Sequence, residues 1–400
     1  MLSFVALFSY FLLSEAAPAN STLYVPKWNK FLQNQNILIK DLFQDYNAEV
    51  SPVYTSIDMT QPLGYDPLAP GRFNYTILLY TFKLVGVIEP EERITVVMEV
   101  SEFWYDPRLT WDAEKYGNIT NLHVRQEKIW SPTLTGYALN ELVDLRDQDF
   151  RMAGIANTGE VYTTASVVVS ANCAMKVARF PFDSQTCQIR FSMPIFFAKQ
   201  VEILSDIYSG IRNETLWHEM GNSEWDLVNL TNRVDLEDFT DNQGNIELAV
   251  FELKVKRNPM YYIYMIVFPS FIINVLSIIG VFMRNSDTMS KLNVGLTNIM
   301  TMTFILGVMA DKIPKTGNIP LLGIYIIINL VIMIIAVGIT VGIVELRKYA
   351  IKKRTTGKNG ANQKVLYFLG DPLETICIVL LEVVTIANFT MMIVFWIVDG

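Results

Sequence analysis

The spacing of apolar side chains divides this chain into regions of different period. Between residues 27 and 46, Trp28, Phe31, Leu38, Leu42 and Tyr46 recur as on one face of a helix, and Pro52 ends any helix that begins there. From residue 73 the period falls to two. Ile94, Val96, Met98 and Val100 alternate with Thr95, Val97 and Glu99, and residues 165–170 and 188–193 read similarly. Further on, Ala249, Phe251, Leu253 and Val255 oppose Glu252, Lys254 and Lys256. Short strands of this kind, separated by polar turns, predict a β-sandwich. Beyond residue 258 the alternation gives way to apolar runs at about 260–283, 292–310, 317–344 and 375–398, each long enough to cross a bilayer.

Composition agrees with that division. The 400 residues are 51% hydrophobic and 18% charged, too apolar for an ordinary soluble protein, and the excess sits in residues 260–344 and 372–398. The net charge is −8, with the acidic residues mainly before residue 258, so the polar half lacks the basic surface that nucleic acid requires. At the start, an apolar run from Leu2 to Leu13 leads into Ser14-Glu15-Ala16-Ala17-Pro18-Ala19, which reads as a secretory signal over residues 1–19. The connection 345–371 carries Arg347, Lys348, Lys352, Lys353, Arg354, Lys358 and Lys364, which marks it as cytoplasmic. Four spans then put residues 20–257 and the C-terminus on the extracellular or lumenal side. Acceptor sequons at Asn20, Asn74, Asn118, Asn213 and Asn229 suit such a surface; one at Asn388 falls inside the fourth span and is expected to stay unmodified.

Candidate chemistry is sparse. Cys173 and Cys187 lie in the polar half and Cys377 in an apolar run, so one disulfide plus one membrane thiol is the economical assignment. The stretch between Cys173 and Cys187 contains Phe180-Pro181-Phe182-Asp183, two aromatics and a carboxylate at a proline-set turn. By itself it is a surface staple as readily as anything more. His123 and His218 are the two histidines, without metal-ligand spacing, and neither a catalytic constellation nor a phosphate-cradling glycine loop occurs. No enzyme activity, metal or cofactor is expected.

The second apolar run is the most polar of the set, and its polarity is periodic. Asn293, Thr297, Met300, Phe304, Gly307/Val308 and Asp311 recur at three- and four-residue steps, forming one helical stripe. In a packed bundle such a stripe serves helix–helix contact. Copied symmetrically about an axis, it lines a water-filled pore. Asn293 and Thr297 then form polar rings near the cytoplasmic end, Met300 and Phe304 an apolar constriction, and Asp311 an acidic ring at the outer mouth.

In this order along the chain, the motifs resemble a subunit of the pentameric ligand-gated ion channels, the Cys-loop receptors, on the nicotinic acetylcholine receptor side. The resemblance rests on Asp41-Leu42-Phe43 and Tyr46-Asn47, on Trp104, Asp106 and Leu109-Thr110-Trp111, and on Ile129-Trp130-Ser131-Pro132. It continues through Cys173–Cys187, Glu224-Trp225-Asp226-Leu227, Arg257-Asn258-Pro259, Ile313-Pro314-Lys315-Thr316 and Pro320-Leu321-Leu322-Gly323. It implies an extracellular ligand-binding, immunoglobulin-like β-sandwich with an N-terminal helix over residues 20–257, followed by a four-helix transmembrane bundle over residues 258–400. It further implies five subunits, identical or related, around a pore, with ligand pockets between neighbouring sandwiches. Coupling of ligand to pore is expected at Phe180, Pro181, Phe182, Asp183, Arg257 and Lys315, with Glu89 in the acidic loop Glu89-Pro90-Glu91-Glu92 as the carboxylate partner of Arg257.

The departures from the family pattern concern the ligand. An aromatic cage for a quaternary ammonium needs several ring faces. Tyr137 matches one member, but Pro194 and Glu99 stand at two others, with Phe196 nearby and Phe239 in the loop that lacks an adjacent cysteine pair. Tyr137, Glu99, Phe196 and Phe239 are the candidate ligand residues, and acetylcholine is not the expected agonist. Before the pore helix the chain has Met289-Ser290-Lys291, neither the cation-type nor the anion-type signature; Asp287 and Asp311 favour cations. A non-conducting accessory or receptor-like role on plasma or vesicle membranes is the second reading.

Overall fold

The computed structural model describes residues 21–56, 71–239, 244–283, 287–311, 319–356 and 371–399. The signal-like run 1–19, Asn20 and Lys315 lie outside the described residues.

An N-terminal helix, Ser21–Phe43, precedes the strands. Its face is only partly the expected one. Leu38 is buried against Tyr116 and Ile119, whereas Trp28 and Phe31 are exposed, because only the C-terminal half of the helix lies on the sandwich. Tyr46 follows the helix and fixes its exit: its hydroxyl donates to Asp106 Oδ2 at 3.0 Å and accepts from the Trp130 amide at 2.8 Å.

Eleven strands follow among the described residues: β1 Phe73–Ile88, β2 Arg93–Tyr105, β3 Asn121–Arg125, β4 Thr135–Gly136, β5 Leu139–Asp144, β6 Met152–Ala156, β7 Glu160–Asn172, β8 Ser184–Ser192, β9 Val201–Ile207, β10 Trp225–Phe239 and β11 Gly244–Arg257. They form two sheets. One has the order β3-β6-β7-β2-β1-β9 with β5 also on β7, and the other the order β10-β11-β8-β4. The alternation read from the sequence sets the inner faces. Ile94, Val96, Met98 and Val100 of β2 meet Ala249, Phe251, Leu253 and Val255 of β11 in one buried core. The outer face of β11 carries Lys254 and Lys256.

Four helices are long and apolar enough to cross a membrane: Met260–Val281, Thr288–Ala310, Leu321–Tyr349 and Pro372–Val398. The second begins at Thr288, before its apolar run, because the Asp287 side chain accepts the Met289 amide at 2.7 Å and caps it. The third helix continues to Thr356, past the end of its apolar run, since neither glycine nor proline interrupts residues 343–356. Asparagines tie the bundle together. Asn298 of the second helix donates to Asn274 of the first at 3.3 Å, and Asn274 donates to Asn329 of the third at 3.4 Å. Asn388 of the fourth donates to the same Asn329 oxygen at 3.0 Å. Gly295 lets the second and third helices approach: a Cβ there would meet Val337 at 2.2 Å.

Candidate functional site

The sandwich meets the helices at one buried cation. Arg257 ends β11, three residues before the first membrane helix, and is 1% exposed. Strand alternation turns its side chain inward, toward the base of the sandwich. Three carboxylates from separate segments surround it. Nε donates to Asp183 Oδ1 at 2.9 Å, Nη2 to Glu89 Oε1 at 2.6 Å and Nη1 to Glu224 Oε1 at 2.5 Å. Aromatic faces cover the guanidinium, with Trp225 at 4.0 Å, Phe180 at 4.8 Å and Tyr262 at 5.6 Å. Burial works against its charge, but Asp183 and Glu89 outweigh that and hold its pKa above the ordinary arginine value. A cation enclosed in this way stays charged, and removing one partner of such a buried pair costs about 3–5 kcal/mol.

The disulfide loop supplies one side of this cluster. Cys173 and Cys187 are joined, with Cα atoms 5.1 Å apart. Gln185 braces the loop from inside. Its Oε1 accepts the Lys176 amide at 2.8 Å and its Nε2 donates to Asp183 Oδ2 at 2.6 Å, which aims the other carboxylate oxygen at Arg257. Phe180 stacks edge-on against Tyr262 of the first membrane helix with centroids 4.7 Å apart. The carbonyls of Ala178 and Phe180 accept the Leu321 and Leu322 amides at 3.0 and 3.1 Å. The loop therefore grips the first and third membrane helices directly. Phe182 is buried, and Pro181 follows Phe180 through a cis peptide.

Sequence reasoning found Asp183, Arg257, Phe180 and Glu89, and it quoted Glu224-Trp225 only as a motif. It missed Glu224, Trp225 and Tyr262 as members of the cluster, and Gln185 as its brace. The available signal was periodicity: Trp225 opens β10 in register with Arg257 of β11, so the two are cross-strand partners.

The stripe on the second membrane helix is a single exposed face. Asn293, Thr297, Met300, Phe304 and Asp311 are all exposed, Met300 at 75% and Phe304 at 71%. Lys291, Gly295, Asn298, Met302 and Met309 are buried on the opposite side. The face is the right length and polarity to line an axis if copies surround one.

The candidate ligand residues are dispersed. Tyr137 lies over the outer face of the second sheet, packed on the cluster of Ile246, Leu248 and Val250, and its hydroxyl donates to Glu237 Oε1 at 3.3 Å. Burial, with Glu237 close by, raises its pKa. Glu99 sits on β2 facing away from the core, on the other sheet. Phe196 packs against the main core beside Trp130, Met193 and Pro194, around a cavity of about 130 Å³. The backbone of Phe239 pairs with Gly244 at the hairpin end. Among the described residues, the cavity beside Phe196 and the one beside Tyr137 have different walls, and neither includes Glu99. The sequons at Asn74, Asn118, Asn213 and Asn229 are exposed, and Asn388 is buried in the asparagine network.

Comparison with known proteins gives two family matches. The neurotransmitter-gated ion-channel ligand binding domain covers residues 35–259, and the neurotransmitter-gated ion-channel transmembrane region covers residues 266–369. The human neuronal acetylcholine receptor subunit alpha-2 is 24% identical over 79% of this chain and 56% of its own length. A proton-gated ion channel subunit of Caenorhabditis elegans is 26% identical over 68% of the chain and 63% of its own length. The chicken acetylcholine receptor subunit gamma is 24% identical over 82% and 62%. The chain thus spans less than two thirds of the length of each of these relatives.

Proposed function

Because the chain belongs to the neurotransmitter-gated ion-channel family, we propose that it is a subunit of a pentameric, ligand-opened and cation-conducting channel. The observation that carries the reading is the grip of the disulfide loop on both halves. Asp183 binds Arg257 at the foot of β11, and the Ala178 and Phe180 carbonyls bind the head of the third membrane helix. A displacement of the sandwich is transmitted through these contacts to the helices.

In this reading five copies, or copies of related subunits, surround an axis lined by Asn293, Thr297, Met300, Phe304 and Asp311. Met300 and Phe304 form a constriction that closes by dewetting, and Asp287 and Asp311 give acidic ends that favour cations. Residues 1–19 are a signal, residues 20–257 and the C-terminus face the extracellular or lumenal side of the plasma membrane, and the basic segment after the third span is cytoplasmic. Asn20, Asn74, Asn118, Asn213 and Asn229 carry glycans. Lys315 lies in the link to the third span, as the coupling role requires. The ligand is not acetylcholine in its usual cage, since Pro194 and Glu99 stand at two cage positions and Tyr137 is engaged with Glu237. Protons join the screen because one relative is a proton-gated channel subunit.

The test is expression alone and with related subunits, under a ligand and pH screen, reading reversal potential as sodium and chloride are replaced. A ligand-evoked current that follows sodium supports the proposal, and a current that follows chloride overturns the cation assignment. Pro194 and Glu99 at two cage positions, with Met289-Ser290-Lys291 before the pore helix, favour one alternative, a non-conducting member of the family. Surface or vesicular protein that never conducts under any condition would favour that role.

A further inference from the structure

The apolar runs 260–283, 292–310, 317–344 and 372–398 contain no lysine, arginine or histidine, yet the last of them carries a carboxylate in its middle, Glu382. Glu374, in the first turn of the fourth membrane helix, pairs with Arg347 of the third at 3.1 Å and marks the polar edge of the span. Glu382 is two turns further in, about 12 Å along the axis. The middle of a hydrocarbon layer is about 15 Å from its edge, so Glu382 stands close to the bilayer centre.

Its polar neighbours on the helix are satisfied within the chain. The Thr385 and Thr390 hydroxyls donate to the Leu381 and Ile386 carbonyls at 3.0 and 2.7 Å, and Asn388 donates to Tyr325 and Asn329. Glu382 differs: its Oε1 is shielded and has no hydrogen-bond partner among the described residues. The residue as a whole is half-buried, and Val379, Ile386 and Thr390, at helical spacing along the same face, are exposed. The fourth helix lies against the first and third, where Phe389 stacks on Phe271, and the second helix packs on the opposite flank of that pair. In the assembly proposed above, the flank with Glu382 is the outer rim, although the face is complete on one chain.

A carboxylate near the bilayer centre needs a partner, because lipid supplies neither water nor a counter-ion. Since the spans of this chain hold no basic residue, further copies of it bring no cation to that depth. Arg347, at the polar edge, is already bonded to Glu374. Charge complementarity therefore selects a different protein. We propose that the outward face of the fourth helix around Glu382 is a docking site for a membrane-spanning helix of another protein, one that carries a lysine or arginine midway along its span. Val379 and Ile386 supply apolar contact on either side, and the ion pair fixes the depth at which the two helices meet.

The experiment uses the full chain, fluorescently labelled, in vesicles of dioleoylphosphatidylcholine, and reads energy transfer to a labelled synthetic membrane-spanning helix of leucine and alanine. The probe has one lysine at its middle, and two controls have leucine or glutamine there. The lysine helix is expected to associate about tenfold more tightly than the leucine helix. Glu382→Gln removes that advantage, and Glu382→Asp keeps part of it. Equal association of the lysine and leucine helices with the parent chain overturns the proposal, and that comparison needs no variant to fold. So does an undiminished lysine advantage in a Glu382→Gln chain that elutes and melts like the parent. A glutamine helix that binds as tightly as the lysine helix means that a neutral carboxyl bonds to any polar group, and it overturns the ion pair.

Discussion

Arg257 Nε donates to Asp183 Oδ1 at 2.9 Å, and this one contact joins the last residue of the sandwich to the tip of the disulfide loop. Both side chains are at most 2% exposed, so neither charge has water to fall back on. Asp183→Asn leaves the guanidinium with two carboxylates; Arg257→Met leaves three carboxylates facing an apolar side chain. The arginine variant is expected to be the worse, by about 3–5 kcal/mol relative to the parent, with loss of most surface protein. The double variant is expected to be less destabilised than the sum of the single changes, because the pair is coupled. Melting of the purified chain measures all three. Strict additivity would remove Arg257–Asp183 from the centre of the coupling cluster.

Met300 and Phe304 are the most exposed large side chains of the stripe proposed to line the pore. Replacing Met300 by Ser puts a hydroxyl where the proposed constriction dries to close, which is expected to favour the open pore. A bias of about 1 kcal/mol raises a small open fraction roughly fivefold, seen as leak current without ligand. Unchanged leak, with the protein verified at the surface, would remove Met300 from the gate.

These two predictions differ in how far sequence alone could support them. The exposed stripe of the second membrane helix was fully legible, because a straight helix converts spacing into facing without help from the rest of the fold. Asn293, Thr297, Met300, Phe304 and Asp311 needed only their numbers. The inward face of β11 was legible for the same reason, at period two. The Arg257 cluster was legible only in part. Glu89, Asp183 and Glu224 reach Arg257 from 168, 74 and 33 residues away in the chain, and no local period links those distances. The N-terminal helix was legible, and Trp28 and Phe31 do share a face, but both are exposed. Helical spacing gives a face, but not how much of that face finds a neighbour.

Asn388 makes a sharper test of burial. It stands in an acceptor sequon, yet its amide donates to the Tyr325 carbonyl at 3.1 Å and to Asn329 Oδ1 at 3.0 Å. Removal of N-glycans should therefore shift the mass of Asn74→Gln, Asn118→Gln, Asn213→Gln and Asn229→Gln variants by one glycan less than the parent. The Asn388→Gln variant should carry the parent's full glycan load. Loss of a glycan in Asn388→Gln would mean that the fourth helix is not in a membrane when the chain is made.

Glu102 carries the last prediction. It occupies an inward position of β2, between Val100 and Trp104, where the pattern calls for an apolar side chain. The Tyr75 hydroxyl donates to its Oε2 at 2.5 Å. Burial pushes the carboxyl from 4.5 up to about 7; Tyr75 and Arg146 pull it down, and Asp144 pushes it up. Between those two values the folded chain binds a proton that the unfolded chain releases. The associated stability is therefore fully present below pH 4.5 and is lost as pH rises through about 7. The whole effect is roughly 3 kcal/mol. Melting temperature should accordingly fall from pH 5 to pH 8, and more steeply in the parent chain than in Glu102→Gln, whose amide still accepts from Tyr75 and does not titrate. Identical pH profiles for the two proteins would mean that Glu102 does not change its protonation on folding.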